Sequence, residues 1–145
     1  MGSTTVPAVN PKTRYVLTLT SGTSWTVPSG VTYVNVTLQG GGAGGYGLGT
    51  TYSEGRPGQM ISSTLATTPG ASISYSIGAG GTAGNGSSTP SGAGGTTTFT
   101  GATSAVGGAS SSGTVGTSQA GYNNGISDNK AAAGGAGRID VEYWA

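Results

Sequence analysis

Apolar and polar residues alternate along three separate runs of the chain. In the runs 15–20, 32–38 and 138–144, every second residue is apolar and its neighbours are mostly polar, as in Ile-Asp-Val-Glu-Tyr at 139–143. A period of two is typical of a β-strand that turns one face to the core. These runs therefore predict three strands, and we expect the first and the last of them to pair.

Shorter runs complete the predicted set of strands. Residues 60–65 and 72–77 are expected to form a hairpin about the turn Pro69-Gly70, while 25–27 and 96–100 are short β-prone runs. Glycine interrupts every window that is long enough for an α-helix. The sequence therefore predicts an all-β fold, a small antiparallel β-sandwich with long glycine-rich loops.

The larger apolar residues of the strands form the candidate core. Because the chain has few such residues, they are assigned either to the core or to an interface between subunits. They are Trp25, Val34, Val36, Leu38, Ile73, Tyr75, Ile77, Ile139, Val141, Tyr143 and Trp144. A core this thin favours an oligomer, in which burial between subunits supplements the stability of each chain.

Glycine dominates the three stretches 40–58, 78–95 and 107–137, which separate predicted strands. Structureless loops of more than about 12–15 residues are uncommon in a compact domain. A polyproline-II helix has three residues per turn, so glycine at every third position would leave one side of it without Cβ atoms. That spacing occurs at Gly41, Gly44 and Gly47, at Gly78, Gly81 and Gly84, and at Gly113 and Gly116. Two interpretations stay open: packed polyproline-II helices, or chance in a chain with 31 glycines.

Composition excludes several classes of chemistry. The 145 residues include neither Cys nor His, which excludes disulfides, thiolate zinc sites, imidazole metal ligands and histidine-dependent catalysis. Five Lys and Arg are too few and too scattered for a nucleic-acid groove. No apolar run approaches the roughly 18 residues of a membrane span, so we expect no membrane insertion. We expect no cofactor.

Two acidic residues, Asp140 and Glu142, lie two positions apart on one predicted strand. Glycoside hydrolysis requires two carboxyl groups on opposite sides of the scissile bond. Residues two apart on a strand point in the same direction, so this pair cannot flank a bond. We interpret it as part of a solvated strand face, and we expect that the protein is not an enzyme.

A longer pattern is apparent when strands and glycine runs are taken together. The opening Ser-Trp-Thr-Val-Pro-Ser-Gly-Val at 24–31 is followed by Val-Asn-Val-Thr-Leu at 34–38 and by the glycine run 40–45. A last glycine run leads into Ile-Asp-Val-Glu-Tyr-Trp at 139–144. Over residues 24–144 the chain resembles a glycine-rich domain of bacteriophage virion surface proteins, which occurs in tail fibres and receptor-binding tips.

The resemblance implies a non-enzymatic structural protein exposed on the surface of the virion, in the first place a tail-fibre or receptor-binding component. A capsid decoration protein of the cement or head-fibre kind is the alternative, and a carbohydrate-binding module is the second alternative. The implied partners are other virion proteins of the capsid or tail, and a glycan or outer-membrane protein of the host surface. A homo-oligomer is expected, with a trimer as the first choice.

Three tyrosines, Tyr46, Tyr52 and Tyr122, lie inside the glycine-rich stretches. Tyrosine on a background of Ser and Gly is also the composition of antibody paratopes, where the ring supplies contact area at a low cost in entropy. We interpret these residues as candidate receptor or partner contacts. The alternative is that their rings pack against the glycine backbone.

Residues 1–23 are interpreted as an N-terminal arm with the first strand, and 24–145 as the glycine-rich β domain. Two prolines favour an extended arm, because proline fixes φ and lacks a hydrogen-bond donor. The candidate anchoring residues, which would attach the domain to a particle, are Val6, Pro7, Val9 and Pro11. The alternative is a free terminus.

Overall fold

The computed structural model describes residues 2, 10–48, 51–85, 90–110, 126–127 and 130–145. Within these ranges the chain forms twelve β-strands and no helix, which confirms the all-β fold. The strands are β1 (Arg14–Leu19), β2 (Ser24–Thr26), β3 (Tyr33–Gln39), β4 (Tyr46–Leu48), β5 (Thr51–Ser53), β6 (Met60–Ala66), β7 (Ser72–Ser76), β8 (Gly84–Asn85), β9 (Thr98–Phe99), β10 (Ile126–Ser127), β11 (Lys130–Ala131) and β12 (Arg138–Trp144).

Four long strands form an antiparallel sheet in the order β1-β12-β3-β6. The first and last strands pair as the alternation predicts, with Leu17 opposite Val141. Val141 in turn lies opposite Val36 of β3. Because side chains alternate across a strand, this register brings the apolar residues of neighbouring strands to one face, while polar residues occupy the other.

A second antiparallel sheet, in the order β2-β7-β9, covers the apolar face of the first. Its inward side chains are aromatic at three positions, and these rings pack together. The centroid of the Trp25 ring lies 6.3 Å from that of Phe99 and 5.9 Å from that of Tyr143 on β12. The outward residues of this sheet are Ser or Thr, at positions 24, 26, 72, 74, 76 and 98. The two sheets thus form a small sandwich with an aromatic centre.

The expected hairpin between residues 60–65 and 72–77 is wrong. Strand β6 pairs with β3, and β7 pairs with β2 and β9 in the other sheet. The turn crosses from one sheet to the other: Thr67 N donates to Thr32 O beside β3, and Gly70 N donates to Val27 O beside β2. Gly70 has a φ of 81°, which glycine adopts readily. The turn signal was therefore correct, but it marks a crossover between sheets.

The predicted core or interface residues divide into three groups. Those that are buried are Trp25, Val34, Val36, Leu38, Tyr75, Ile139 and Val141. Those that are partly buried against the core are Ile73, Ile77 and Tyr143. Trp144 lies on the outer face of the four-stranded sheet with 40% of its surface exposed, and is not part of the core.

A bundle of glycine-rich segments continues from the end of the sandwich at which β3 ends. The described part of the chain passes through this glycine bundle six times, in segments 40–45, 55–59, 78–84, 92–95, 105–108 and 132–137. Segment 40–45 is central and buried. It exchanges main-chain hydrogen bonds with all five others: Gly40 N to Gln59 O, Gly41 N to Gly95 O, Gly42 N to Gly135 O, Gly81 N to Gly42 O, and Gly108 N to Gly41 O, each 2.8–2.9 Å long.

In the five outer segments, exposed residues recur at every third position. Each segment presents an exposed residue three positions after the previous one: Arg56 and Gln59, Ala79 and Thr82, Ala93 and Thr96, Val106 and Ala109, Ala133 and Ala136. Their hydrogen bonds run to neighbouring segments, as expected for a helix with three residues per turn and no internal bonds. The bundle is therefore of the polyproline-II type, and the spacings at Gly41 and Gly44 and at Gly78, Gly81 and Gly84 belong to it. The spacing at Gly113 and Gly116 lies outside the described residues.

Glycine is required in the bundle for space. A Cβ atom on Gly44 would lie less than 3 Å from the carbonyl group of Thr82, and one on Gly58 would meet the carbonyl of Gly40 in the same way. The described glycines with positive φ are Gly22, Gly30, Gly70 and Gly101, all of them outside the bundle segments. Because glycine has no Cβ atom, the main chains of neighbouring segments can approach closely enough to form hydrogen bonds with one another.

Candidate functional site

The direction of the segments defines two ends of the molecule. Segments 40–45, 78–84 and 105–108 lead away from the sandwich, and the other three return to it. The three connections between them therefore leave and re-enter the bundle at the end remote from the sandwich. We call this end the tip. Its described part consists of β4, β5, β8, β10 and β11 with their flanking residues.

Short strands link the connections at the tip. Strands β4 and β5 form an antiparallel hairpin, and β8 adds to β4 in parallel. Strands β10 and β11 pair with each other, and β11 lies beside β4 and β5. All three connections thus contribute main chain to one structure, although they are far apart in sequence.

The structure brings two of the three candidate tyrosines into one hairpin. Tyr46 lies opposite Ser53 and beside Gly84, and it is half-buried. The main chain of Tyr52 lies opposite Gly47. Tyr122 lies outside the described residues. The tip therefore holds two of the aromatic residues that the sequence proposes as contacts.

The bundle holds the base of the tip by main-chain hydrogen bonds. Gly45, the last residue of the central segment, donates from its N to Ala132 O at 2.9 Å and accepts from Gly84 N at 2.8 Å. One step earlier, Gly44 N donates to Gly92 O at 3.0 Å. Each connection therefore starts from a backbone position that is fixed by its neighbours, whatever side chains the connection carries.

The opposite end of the molecule, the base, is where β1 begins and β12 ends. Thr13 and Ala145 exchange two main-chain hydrogen bonds there, of 2.8 and 3.1 Å. The base lies about 40 Å from the tip. This distance is the length of a seven-residue strand plus that of a six-residue polyproline-II segment. Of the candidate anchoring residues, Pro11 is exposed beside the base; Val6, Pro7 and Val9 lie outside the described residues.

Charged groups of the described chain concentrate on the outer face of the four-stranded sheet. Arg14 forms an ion pair with Glu142, and Arg138 lies 3.3 Å from Asp140. The hydrogen bond from Arg14, supported by one from Asn35, lowers the pKa of the Glu142 carboxyl below its usual range. Among the residues that the structure describes, no three acidic side chains gather where they could hold a metal ion.

Sequence reasoning did not single out Thr97, which joins the bundle to the sandwich. Its buried hydroxyl accepts a hydrogen bond from Gly78 N at 3.0 Å and donates one to Gln39 O at 2.7 Å. Thr97 stands in a run of threonines, so neither its type nor its spacing distinguishes it. The parallel pairing of β4 with β8 was missed as well, because two-residue strands carry no alternation.

In the described ranges, no helix has the length and apolar character needed to cross a membrane. The fold defines a class of protein in which an antiparallel β-sandwich carries a polyproline-II glycine bundle with a tip of three connections. A family model for a glycine-rich domain matches residues 18–142. The chain therefore belongs to this glycine-rich domain family. No individually curated protein matches the sequence.

Proposed function

We propose that this protein is a non-enzymatic surface component of a bacteriophage virion, of the tail-fibre or receptor-binding kind. The base attaches to other virion proteins, and the tip contacts a glycan or an outer-membrane protein of the host. The observation that carries the proposal is that the tip and the base lie at opposite ends of the molecule, joined by the sandwich and the hydrogen-bonded bundle. An attachment module needs this polarity, because its contact surface must face away from the particle.

The chemistry of the tip supports a binding role. Tyr46 and Tyr52 supply rings with few rotatable bonds, and tyrosine is among the residues that dominate binding energy at protein interfaces. The three connections leave and re-enter the bundle at backbone positions that main-chain hydrogen bonds hold in place. The scaffold thus gathers the connections, and the residues that they carry, at one end of the molecule.

A test of this function compares adsorption of virions that carry tip or base variants. The double variant Tyr46→Ala and Tyr52→Ala should lower the adsorption rate by about tenfold or more, the scale of a lost interface hot spot. Met60→Ala is the matched control, because Met60 is 63% exposed at the start of β6, between the base and the tip. Unchanged adsorption of the double variant, at an unchanged melting temperature, contradicts the proposal.

Capsid decoration is the second candidate, and the same polarity supports it, with the base on the capsid and the tip facing outward. The number of copies per virion distinguishes the two functions. A number comparable to that of the major capsid protein indicates decoration, whereas the small number expected of fibres indicates attachment. Quantitative mass spectrometry of purified particles measures this ratio. A carbohydrate-binding module outside virions is favoured if the protein is missing from the particles.

A further inference from the structure

Strand β1 forms an open edge of the four-stranded sheet. It pairs with β12 on one side, and no described strand pairs with its other side. Five of its six residues are exposed. Two of these, Tyr15 and Leu17, belong to the apolar face, yet they remain 46% and 37% exposed. Long exposed edge strands with apolar residues are templates for pairing with another chain.

The hydrogen bonds at the base show which groups of β1 are free to pair. Thr13 and Ala145 exchange both of their main-chain bonds, so they are a hydrogen-bonded pair of the antiparallel ladder. Hydrogen-bonded pairs alternate with non-bonded ones, which assigns Tyr15 and Leu17 to bonds with β12. The N–H and C=O groups of Arg14, Val16 and Thr18 therefore point to the open edge.

We propose that β1 pairs with β1 of a second copy of this chain, antiparallel and with a two-fold axis at Val16. The two four-stranded sheets then continue as one. Val16 lies opposite Val16 of the second copy, and Arg14 lies opposite Thr18 of the second copy. Among the described residues, the outward main-chain groups of Arg14, Val16 and Thr18 have no hydrogen-bond partner, so this register forms hydrogen bonds without breaking any that the structure describes.

The apolar face of β1 complements itself in this register. Tyr15 lies opposite Leu17 of the second copy, and Leu17 lies opposite Tyr15 of the second copy. These are non-hydrogen-bonded positions, where opposing side chains come closest. Each exposed tyrosine therefore covers an exposed leucine, and the interface buries the apolar surface that the second sheet of the sandwich leaves open.

The outer face is complementary in charge. Arg14 is the charged residue of β1, and it meets Thr18 of the second copy rather than another arginine. Within each chain the hydroxyl of Thr18 donates a 2.6 Å hydrogen bond to Asp140. Pairing thus brings the guanidinium of one copy near the Asp140 carboxylate of the other, while like charges stay apart.

A second copy fits this edge better than an unrelated strand does, because the apolar residues Tyr15 and Leu17 flank Val16 and meet each other across the two-fold axis, while Arg14 meets an uncharged residue. Such self-complementarity is the requirement of a two-fold interface. The other edge strand, β6, is less exposed: its residues alternate between exposed and half-buried, whereas five of the six residues of β1 are exposed. The proposal is independent of what the tip binds, and it replaces the expected trimer with a dimer.

Sedimentation equilibrium of the full chain over a range of concentrations tests the proposal. The wild-type protein should fit a monomer–dimer equilibrium. Val16→Pro removes an N–H that points to the open edge, and Val16→Lys places like charges opposite each other. Each should raise the dissociation constant of the dimer about tenfold or more. Val106→Lys is the matched control, since Val106 is 52% exposed and Val16 is 55% exposed, and it should leave the dimer unchanged.

Cysteine cross-linking tests the register. The chain has no Cys, so a single introduced thiol can bond only to a second copy. Residues opposite each other in a hydrogen-bonded pair have Cα atoms about 5.5 Å apart, within the range of a disulfide. Val16→Cys should therefore cross-link under oxidation, whereas Thr18→Cys should not, because its own counterpart is about 13 Å away along the strand. A monomer at all concentrations, a trimer, or preferential cross-linking of Thr18→Cys overturns the proposal.

Discussion

The side-chain hydroxyl of Thr97 donates a 2.7 Å hydrogen bond to the main-chain carbonyl oxygen of Gln39, the last residue of β3. The same hydroxyl accepts from Gly78 N, the first residue of a bundle segment. Thr97 is fully buried, so water does not replace either bond. One side chain therefore fixes the position at which the sandwich ends and the bundle begins.

Removing the Thr97 hydroxyl should lower the free energy of unfolding. Thr97→Val keeps the shape of the side chain but leaves the Gly78 N–H and the Gln39 carbonyl without this partner, at a cost of about 2–4 kcal/mol of unfolding free energy. Urea denaturation measures the loss. Thr97→Ser is the control, because it retains the hydroxyl and gives up only a methyl group. Equal stability of the Val variant and the wild type would show that the junction does not depend on this side chain.

A methyl group in the bundle should be more harmful than one in a strained turn. Gly44→Ala places a Cβ on the Thr82 carbonyl, and the main chain must move to relieve the overlap, so we expect a loss of about 3 kcal/mol or more. At Gly30 a Cβ has no neighbour within 4 Å, but φ is 78°. Gly30→Ala should therefore lower the free energy of unfolding only by the energy needed to hold alanine in the left-handed conformation, about 1–2 kcal/mol. Thermal unfolding of the two variants measures both losses. A larger loss for Gly30→Ala than for Gly44→Ala would contradict the conclusion that bundle glycines are required for space.

The ion pair of Arg14 with Glu142 predicts a pH dependence of stability. Because the folded state lowers the pKa of Glu142, the carboxylate contributes stability above its unfolded pKa of about 4.3. This contribution is lost as the pH falls through the lower, folded-state pKa. Arg14→Gln should therefore be less stable than wild type at pH 7, and the difference should diminish in acid. Lys12→Gln is the control, because the exposed Lys12 ammonium donates to the main-chain carbonyl of Gly30, and it should give a difference that does not change with pH in this range.

The two tryptophans should report on different environments. Trp25 is 8% exposed in the aromatic centre, whereas Trp144 is 40% exposed on the outer face. Trp144→Phe should shift the emission maximum to shorter wavelength and reduce quenching by acrylamide, since only the buried ring remains. Trp25→Phe should have the opposite effect on both measurements. An emission maximum that does not differ between the two variants contradicts the assigned burial.

Local patterns in the sequence predicted those parts of the fold in which side chains carry the information. The alternation in β1, β3 and β12 identified the strands and the pairing of the first with the last. The period of three at Gly78, Gly81 and Gly84 raised a polyproline-II segment as one of two open interpretations, and the structure has that segment. Which segments become neighbours was not predictable, because a glycine backbone bonds equally well to any other and leaves no pattern of partners.

The tip was the least predictable region for a related reason. Tyr46 and Tyr52 could be proposed as contacts from residue type, but their shared hairpin depends on where the central segment ends. The crossover after β6 shows the same limit. The turn at Gly70 was evident from the sequence, whereas its direction depends on hydrogen bonds to Thr32 and Val27, which are remote in the chain.

The glycine bundle also has a thermal consequence. Its interior is main chain, so unfolding exposes many peptide groups and little hydrocarbon there. Apolar exposure raises the heat capacity and polar exposure lowers it, so the change on unfolding should be below the usual value of about 12–15 cal/mol/K per residue. The stability curve is then flatter than that of an ordinary globular domain, and the protein loses less of its stability on cooling than a hydrocarbon core would.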